Sequence, residues 1–298
     1  MKHLKPDREM YLMDVEPDTS PALTVAPGEV VVVEVSEAFV GIRDPARFPT
    51  PFTDEAVGHP LGKITGPIFV EGAEPGDSLR VELLSMEVGK EGVTAIMKNY
   101  GLLPKEFPGP ALRVSPIRDG VIHFGDLQIP VRASLGTLST MPEVLDHFGY
   151  AGPHGGDLDQ NELRAGTVCH LPVFVRGGLL FLADPHAIIG DGITCGTGLE
   201  CDATVTLRAT VERPAFLDRP VIETADTLQV VGTASTLEEA ARDAARAAIR
   251  YLTRATRLSA EEAYMLCSLV GDFKIGTSPR PIMAGRLVLP KAILAQAV

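Results

Sequence analysis

Three glycine-rich stretches concentrate the groups that could do chemistry: GHPLGKITGPIFVEGAEPGD (58–77), GPHGGDLD (152–159) and DPHAIIGDGITCGTGLE (184–200). Each joins turn-forming residues to imidazoles or carboxylates, which can bind a metal ion or move a proton. Glycine adds a second capability, because a backbone without Cβ can approach a small ligand and let N–H groups converge on an oxyanion. His154 and Asp159 stand five residues apart, as do His186 and Asp191. Neither spacing is a standard zinc motif. DPHAIIGDG follows the apolar run LLFLAD, so its polar groups stand where a strand opens into a loop.

Each stretch also has a plainer reading. EGAEPGD reads as a tight turn: Pro75 presets φ, Gly76 takes a positive φ, and Asp77 bonds back to the backbone. Glu71, after the apolar IFV, is a candidate to end a strand in a cleft. GPHGGDLD is equally readable as a loop braced by Asx turns, and Asp157 is assigned to that bracing. Cys195, in GITCGTG, is either a thiolate held by backbone amides or a buried inert thiol. His3, His123, His147 and His170 look ordinary, no GxSxG is present, and the glycines from Gly190 to Gly198 lack the βαβ context of a dinucleotide site.

Positioning these groups falls to β-structure. With 29 Gly and 24 Pro among 298 residues, many turns and short strands are expected. Strand candidates are EVVVVEV (29–35), SLRVELLSMEV (78–88), VTAIM from Val93, LQIPVRA from Leu127, VCHLPVFV from Val168, GLLFLAD from Gly178 and ATVTLRATVE from Ala203. The last alternates cleanly, with Ala203, Val205, Leu207, Ala209 and Val211 on one face. In SLRVELLSMEV the apolar phase slips by one residue, which predicts a β-bulge at Leu83 and Leu84. Near Thr236 the pattern becomes helical: Leu237, Ala240, Ala241, Ala244, Ala248, Ile249 and Leu252 form one stripe. Thr236 with Glu239, and Ser259 with Glu262, predict capping boxes for two helices, the second ending at Gly271. GRLVLPKAIL returns as a strand. The expected fold is mainly β, of sandwich or barrel-like sheets (1–225), with a smaller α/β C-terminal part carrying two helices (226–298).

A net charge of −12 repels phosphate backbones and anionic lipid, which argues against nucleic acid or a membrane surface as partner. No apolar run approaches the roughly 18 to 20 residues of a membrane span. MKHLKPDREMYLMDVEPD breaks any signal-peptide pattern with charge and proline. Cys169, Cys195, Cys201 and Cys267 form no CxxC pair and are expected to stay reduced. A cytoplasmic protein is the expectation.

In this order the stretches resemble the acetamidase/formamidase family. The segments that carry the resemblance are PALTVAPGE, TGPIFVEGAEPGDSLRVELL, HGGDLD, GGLLFLADPHAIIGDGITCGTGLE and EEAYMLCSLVGDFKI, spanning Pro21 to Ile275. The resemblance implies hydrolysis of a small neutral amide such as formamide or acetamide to ammonia and the acid, by a metal-binding homo-oligomer. The chain departs from the family pattern at GHPLGKITGP, where the family has a His-Pro or Asn-Pro pair closer to TGP, and at VSEAFVGIRD, where Glu37 and Arg43 replace an Asp and a Gly-Gln pair.

On this reading a divalent metal, zinc first, lowers the pKa of a bound water and polarises the carbonyl. Candidate ligands are His154, Asp159, His186 and Asp191, with His59 from GHPLG. Glu200, or else Glu71, is the candidate general base. Backbone amides of Gly155 and Gly156, or of Gly190 and Gly192, are candidates to bind the oxyanion and hence the substrate. A competing mechanism makes Cys195 the nucleophile, with His186 or Glu200 as base. Two further alternatives stand: a non-catalytic metal- or amide-binding β protein, and hydrolysis of a related C–N bond such as a cyclic amide or a formylated amine.

Overall fold

A computed structural model describes residues 2–6, 15, 19–48, 51, 62–144 and 149–297. His59 and His147 lie outside the described residues. Two sheets face each other, as the short alternating strands predict. The first runs, edge to edge, Lys2–Leu4, Val30–Val35, Ala203–Glu212, Ser78–Val88, Val168–Pro172, Val221–Glu223, Thr227–Ala234, Met283–Pro290 and Asp272–Ile275. Third from one edge, Ala203–Glu212 buries Ala203, Val205, Leu207 and Ala209, as its period-2 pattern requires. The predicted bulge is present: Thr206 pairs with Ser85 and Leu207 with Leu83, so Leu84 is the extra residue, and it turns outward to solvent.

The second sheet runs Gly155–Asp157, Ser134–Ser139, Leu180–Ile188, Leu199–Glu200, Glu91–Ile96, Ala111–Arg118, Val121–Phe124 and Leu127–Pro130. Ile64–Val70 also pairs with Leu180–Ile188, and Leu23–Val25 pairs with Ile64–Val70. One apolar cluster takes side chains from both sheets. Val33, Leu79, Val81, Leu83, Val205 and Leu207 of the first meet Ile68, Val70, Leu135, Leu138, Leu180 and Leu182 of the second. Each sheet is apolar on the face it turns toward the other, and burying both faces at once is what makes the two-layer stack stable.

The C-terminal part continues the first sheet, since Val221–Glu223 pairs directly with Thr227–Ala234 across residue 225. Helix Leu237–Ala255 lies on that extension. It buries Ala240, Ala244, Ala247, Ala248 and Leu252, and its small side chains let it approach so closely that a Cβ on Gly232 would strike the backbone of Ala240 and Ala244. Helix Ala260–Val270 begins with the full predicted capping box between Ser259 and Glu262 and is capped at Gly271. At Thr236 the hydroxyl accepts from Glu239 N–H, while the Glu239 carboxylate engages Arg242. Among the described residues no helix is long and apolar enough to cross a membrane.

Candidate functional site

The strand Leu180–Ile188 organises the site. Asp184 and His186 are two residues apart, so a pleated backbone directs both to one face. On one flank the pairs Leu135↔Pro185 and Thr137↔Ala183 bracket Gly136 opposite Asp184; on the other, His186 pairs with Glu200. Asp184 has φ 57, in the left-handed region where Asp is among the better-tolerated non-glycine residues. Asp159, φ 49, adopts the same conformation in the GPHGGDLD segment. That segment is stitched to the strand Ser134–Ser139 by Gly136, whose carbonyl accepts from both Leu158 N–H and Asp159 N–H at 3.0 Å.

Asp159, Asp184 and His186 thus converge, each offering a ligand atom within 4.8 Å of the others. His186 Nε2 lies 3.1 Å from Glu200 Oε2 and 3.5 Å from Asp184 Oδ2. Glu200 Oε1 accepts from Gly198 N–H at 2.8 Å, which anchors that carboxylate. Arg280 closes the opposite side, with Nη1 3.0 Å from Asp157 Oδ2 and Nη2 2.6 Å from Asp159 Oδ2. Its Nε donates to Asp159 Oδ2 at 3.1 Å and to Thr277 Oγ1 at 3.0 Å.

Four carboxylates therefore share a buried space with one guanidinium and one imidazole, an arrangement that demands extra positive charge. Without an ion the deficit is met by protons. Burial, opposed by Arg280 and reinforced by Asp159, pushes Asp157 up to about 8. Asp184 rises well above its ordinary value through burial and the Glu200 charge. Burial works against a charged His186, but the Glu200 and Asp184 carboxylates overcome it and raise His186 to about 10. Asp159 moves the other way, because Arg280 and His186 outweigh its burial. Tyr100 belongs to the same electrostatic neighbourhood: burial raises its phenol far above the ordinary range, with Arg280 pulling down and the aspartates pushing up.

The cluster suits a divalent cation. Among the described residues no donor reaches Asp157 Oδ1 or Asp159 Oδ1, and His186 Nδ1 has no hydrogen-bond partner. A Cβ on Gly136 would collide with Asp184 Oδ2 and stand 2.8 Å from both Asp159 Oδ1 and His186 Cε1. The space among the three donors exists because residue 136 lacks a side chain. Two carboxylates and an imidazole are a hard-to-borderline donor set of the kind zinc and similar divalent ions accept with a coordination position left open.

Of the candidate catalytic, substrate-binding and metal-ligating residues that the structure describes, Asp159, His186 and Glu200 come together here, while the others stand elsewhere. His154 packs its ring over Gly152 and Gly156 and lines a separate cleft of about 360 Å³ with Val144, Phe174 and Ile282. Asp191 gives both oxygens to Arg286, at 2.9 and 3.1 Å. That arginine is fully buried and also holds Gln160, Asn161 and Gln229, so Asp191 serves this network instead of the aspartate–histidine cluster. Glu71 is solvent-exposed at the end of Ile64–Val70, not in a cleft. Cys195 Sγ has both its hydrogen-bond partners on Thr197. Gly155 N–H and Gly192 N–H are taken by the carbonyls of Gly152 and Gly276, Gly156 lies in the strand opposite Leu138, and Gly190 is exposed.

Asp157 does not brace a turn, because its carboxylate meets Arg280 in the buried cluster. By contrast Asp77 does bond back to its own turn, accepting from Glu74 N–H at 2.9 Å. Four contributors were not singled out in the sequence. Asp184 had a signal, the i, i+2 spacing of DPH on a strand. Tyr100, Gly136 and Arg280 had none, since their roles arise only from what packs against them.

Comparison with known proteins follows the same outline. The Acetamidase/Formamidase family profile matches residues 4–147 and 151–294. The fold superposes on an acetamidase from Bacillus halodurans with a TM-score of 0.89 at 29% identity, covering 99% of each chain. A recombinant predicted acetamidase/formamidase from Thermoanaerobacter tengcongensis gives 0.90 at 30% identity, covering 99% of this chain and 97% of that one. A gamma lactamase from Delftia acidovorans, at 19% identity, TM-score 0.62 and coverage of 98% and 93%, shares the fold alone. No curated protein sequence matches significantly.

Proposed function

Because this chain belongs to the acetamidase/formamidase family and is an amide-hydrolysing hydrolase, we propose that it cleaves a short, uncharged carboxylic amide at the buried cluster around Gly136. Asp159, Asp184 and His186 would hold a divalent cation, with zinc the first candidate from the donor types. When bound, such an ion would lower the pKa of a water toward about 7 and polarise a carbonyl. The single observation that carries the reading is the convergence of three donors, within 4.8 Å, on a space that a Cβ at residue 136 would fill.

Around that space the residues of the chain divide the work. Glu200 is the proposed base: Gly198 N–H fixes Oε1, and Oε2, which lies 3.1 Å from His186 Nε2, would take the proton of the attacking water and return it to the departing nitrogen. Arg280 keeps Asp159 in position by hydrogen bonds and Asp157 by an ion pair. Tyr100, held neutral by burial, remains an O–H donor at any working pH. A neutral substrate gains nothing from the acidic surface, so selectivity must come from fit, where one methyl is worth roughly 1 to 3 kcal/mol.

The Cys195 route is less well supported, because neither Thr197 partner of the thiol is a base. The test is ammonia release from a panel of short linear amides, extended to cyclic amides and formylated amines, with metal analysis of the same preparation. Turnover of a short linear amide by metal-loaded protein is expected. If no substrate is cleaved but one raises the melting temperature, the site is a binding site and the proposal fails.

A further inference from the structure

Arg286, on the strand Met283–Pro290, is fully buried, and none of the chemistry above uses it. A guanidinium carries five N–H donors. Here each has an acceptor: Nε gives to Gln229 Oε1 at 2.8 Å, Nη1 to Gln160 Oε1 and Asp191 Oδ1, and Nη2 to Asn161 Oδ1 and Asp191 Oδ2. Three segments that deliver groups to the aspartate–histidine cluster meet around it. The first carries Asp159. Gln160 and Asn161 both bind the guanidinium, and Gln160 Nε2 turns back to donate to Leu158 O at 2.7 Å. Asp159 is thereby pinned from both sides, at the φ of 49 that a non-glycine residue seldom adopts. The second is the loop between the strands that bear His186 and Glu200, which Asp191 fastens with both oxygens. The third leads to Arg280: Gly276 O accepts from Gly192 N–H at 2.8 Å, and a Cβ on Gly276 would overlap the Gln160 amide.

We propose that Arg286 is a positioning residue of the buried site: its planar fork holds the Asp159 segment and the loop after His186 at one fixed separation, and so sets how well Asp159 closes with Asp184 and His186 on a cation. The inference rests on reading that cluster as the cation-holding amidase site. Arg286 itself spends its hydrogen bonds on none of the three donors, so it acts through the segments that carry them.

Stability alone does not call for such a residue, because apolar side chains of similar volume often serve a buried position as well as an ion pair does. What the fork adds is geometry. It grips the Asp191 carboxylate through two parallel N–H···O bonds while its other donors fix Gln160 and Asn161. The bond to Gln229 anchors the guanidinium in turn to the strand Thr227–Ala234, so both mobile connections are referred to the rigid sheet.

Two variants of the full-length chain test the proposal. Arg286→Lys keeps the charge but not the fork. Asp191→Ala cuts the tie to the loop at a side chain that is 31% exposed, and it carries the test alone if the buried substitution does not fold. A lower melting temperature is expected of both, and any structural arginine would produce it. The discriminating readouts are zinc affinity, measured by competition with a chelator below the melting transition, and the split between kcat and KM at saturating zinc. Each folded variant, checked by circular dichroism, is expected to bind zinc about 10- to 100-fold more weakly or to lose as much in kcat, with KM within about threefold of wild type. Either folded variant keeping both zinc affinity and kcat within about threefold, whatever its melting temperature, would make Arg286 a structural residue and overturn the proposal. A wild type that neither binds zinc nor cleaves any amide would instead overturn the reading of the cluster, and this inference with it.

Discussion

Substituting Gly136 by alanine adds one methyl group to the middle of the site and removes no donor. The backbone there accepts alanine, since Gly136 is not among the residues with positive φ. Ordinary van der Waals contact begins near 3.4 Å, and the new Cβ would lie 2.8 Å from Asp159 Oδ1 and His186 Cε1 and closer still to Asp184 Oδ2. Each group must therefore retreat by roughly 0.6 Å or more, about three times the ±0.2 Å within which metal–ligand distances are held. Misplacements of this order cost about 100-fold in rate, or about 2.7 kcal/mol of transition-state stabilisation. Stability should change less, because alanine's roughly 0.5–1 kcal/mol advantage over glycine in a strand partly offsets a crowding cost of roughly 1–3 kcal/mol. The assays are kcat/KM for ammonia release from the best amide, metal content per chain, and the melting temperature. A fall of about 100-fold in kcat/KM with reduced metal content and a melting shift of a few degrees is expected. Activity within about threefold of wild type at full metal content would refute the geometry.

Two other expectations follow from the same cluster. Glu200→Gln should lower kcat by about 10²- to 10⁴-fold with metal retained, while Cys195→Ala stays within tenfold; loss of metal from the Gln variant would instead make Glu200 a positioning group for His186. In metal-free protein, His186 is raised from 6.5 to about 10, so its contribution is full below pH 6.5 and is lost as pH rises through 10. Asp157, raised from 3.8 to about 8, holds its proton more tightly folded than unfolded, so stability falls further between those two values. The metal-free chain should melt lower at pH 8.5 than at pH 6, and adding a divalent cation should release protons, read as a buffer-dependent heat in titration calorimetry; an equal melting temperature and no proton release would refute it.

Most of the fold was legible because its signals are local. Alternation from Ala203 to Val211, the one-residue slip at Leu84 and the Ser259–Glu262 cap each depend on neighbours within a few positions, and each is found in the structure. The site was legible only in part. Asp159, His186 and Glu200 meet in the structure, but equal spacing within the stretches does not bring residues to one place. His154 and Asp191 stand at the same five-residue separations from Asp159 and His186, yet one is turned over Gly152 and the other is held by Arg286.

The sequence by itself determined the two-layer β architecture, the helical C-terminal part, the chemistry of the glycine-rich segments and the family resemblance, because periodicity, turn residues and motifs are properties of consecutive residues. Only the tertiary structure decided which carboxylates share one space. Arg280 reaches Asp157 and Asp159 from more than a hundred residues away, and Gly136 matters for a side chain it does not have. Electrostatic pairing and excluded volume act through space, and no spacing along the chain encodes them.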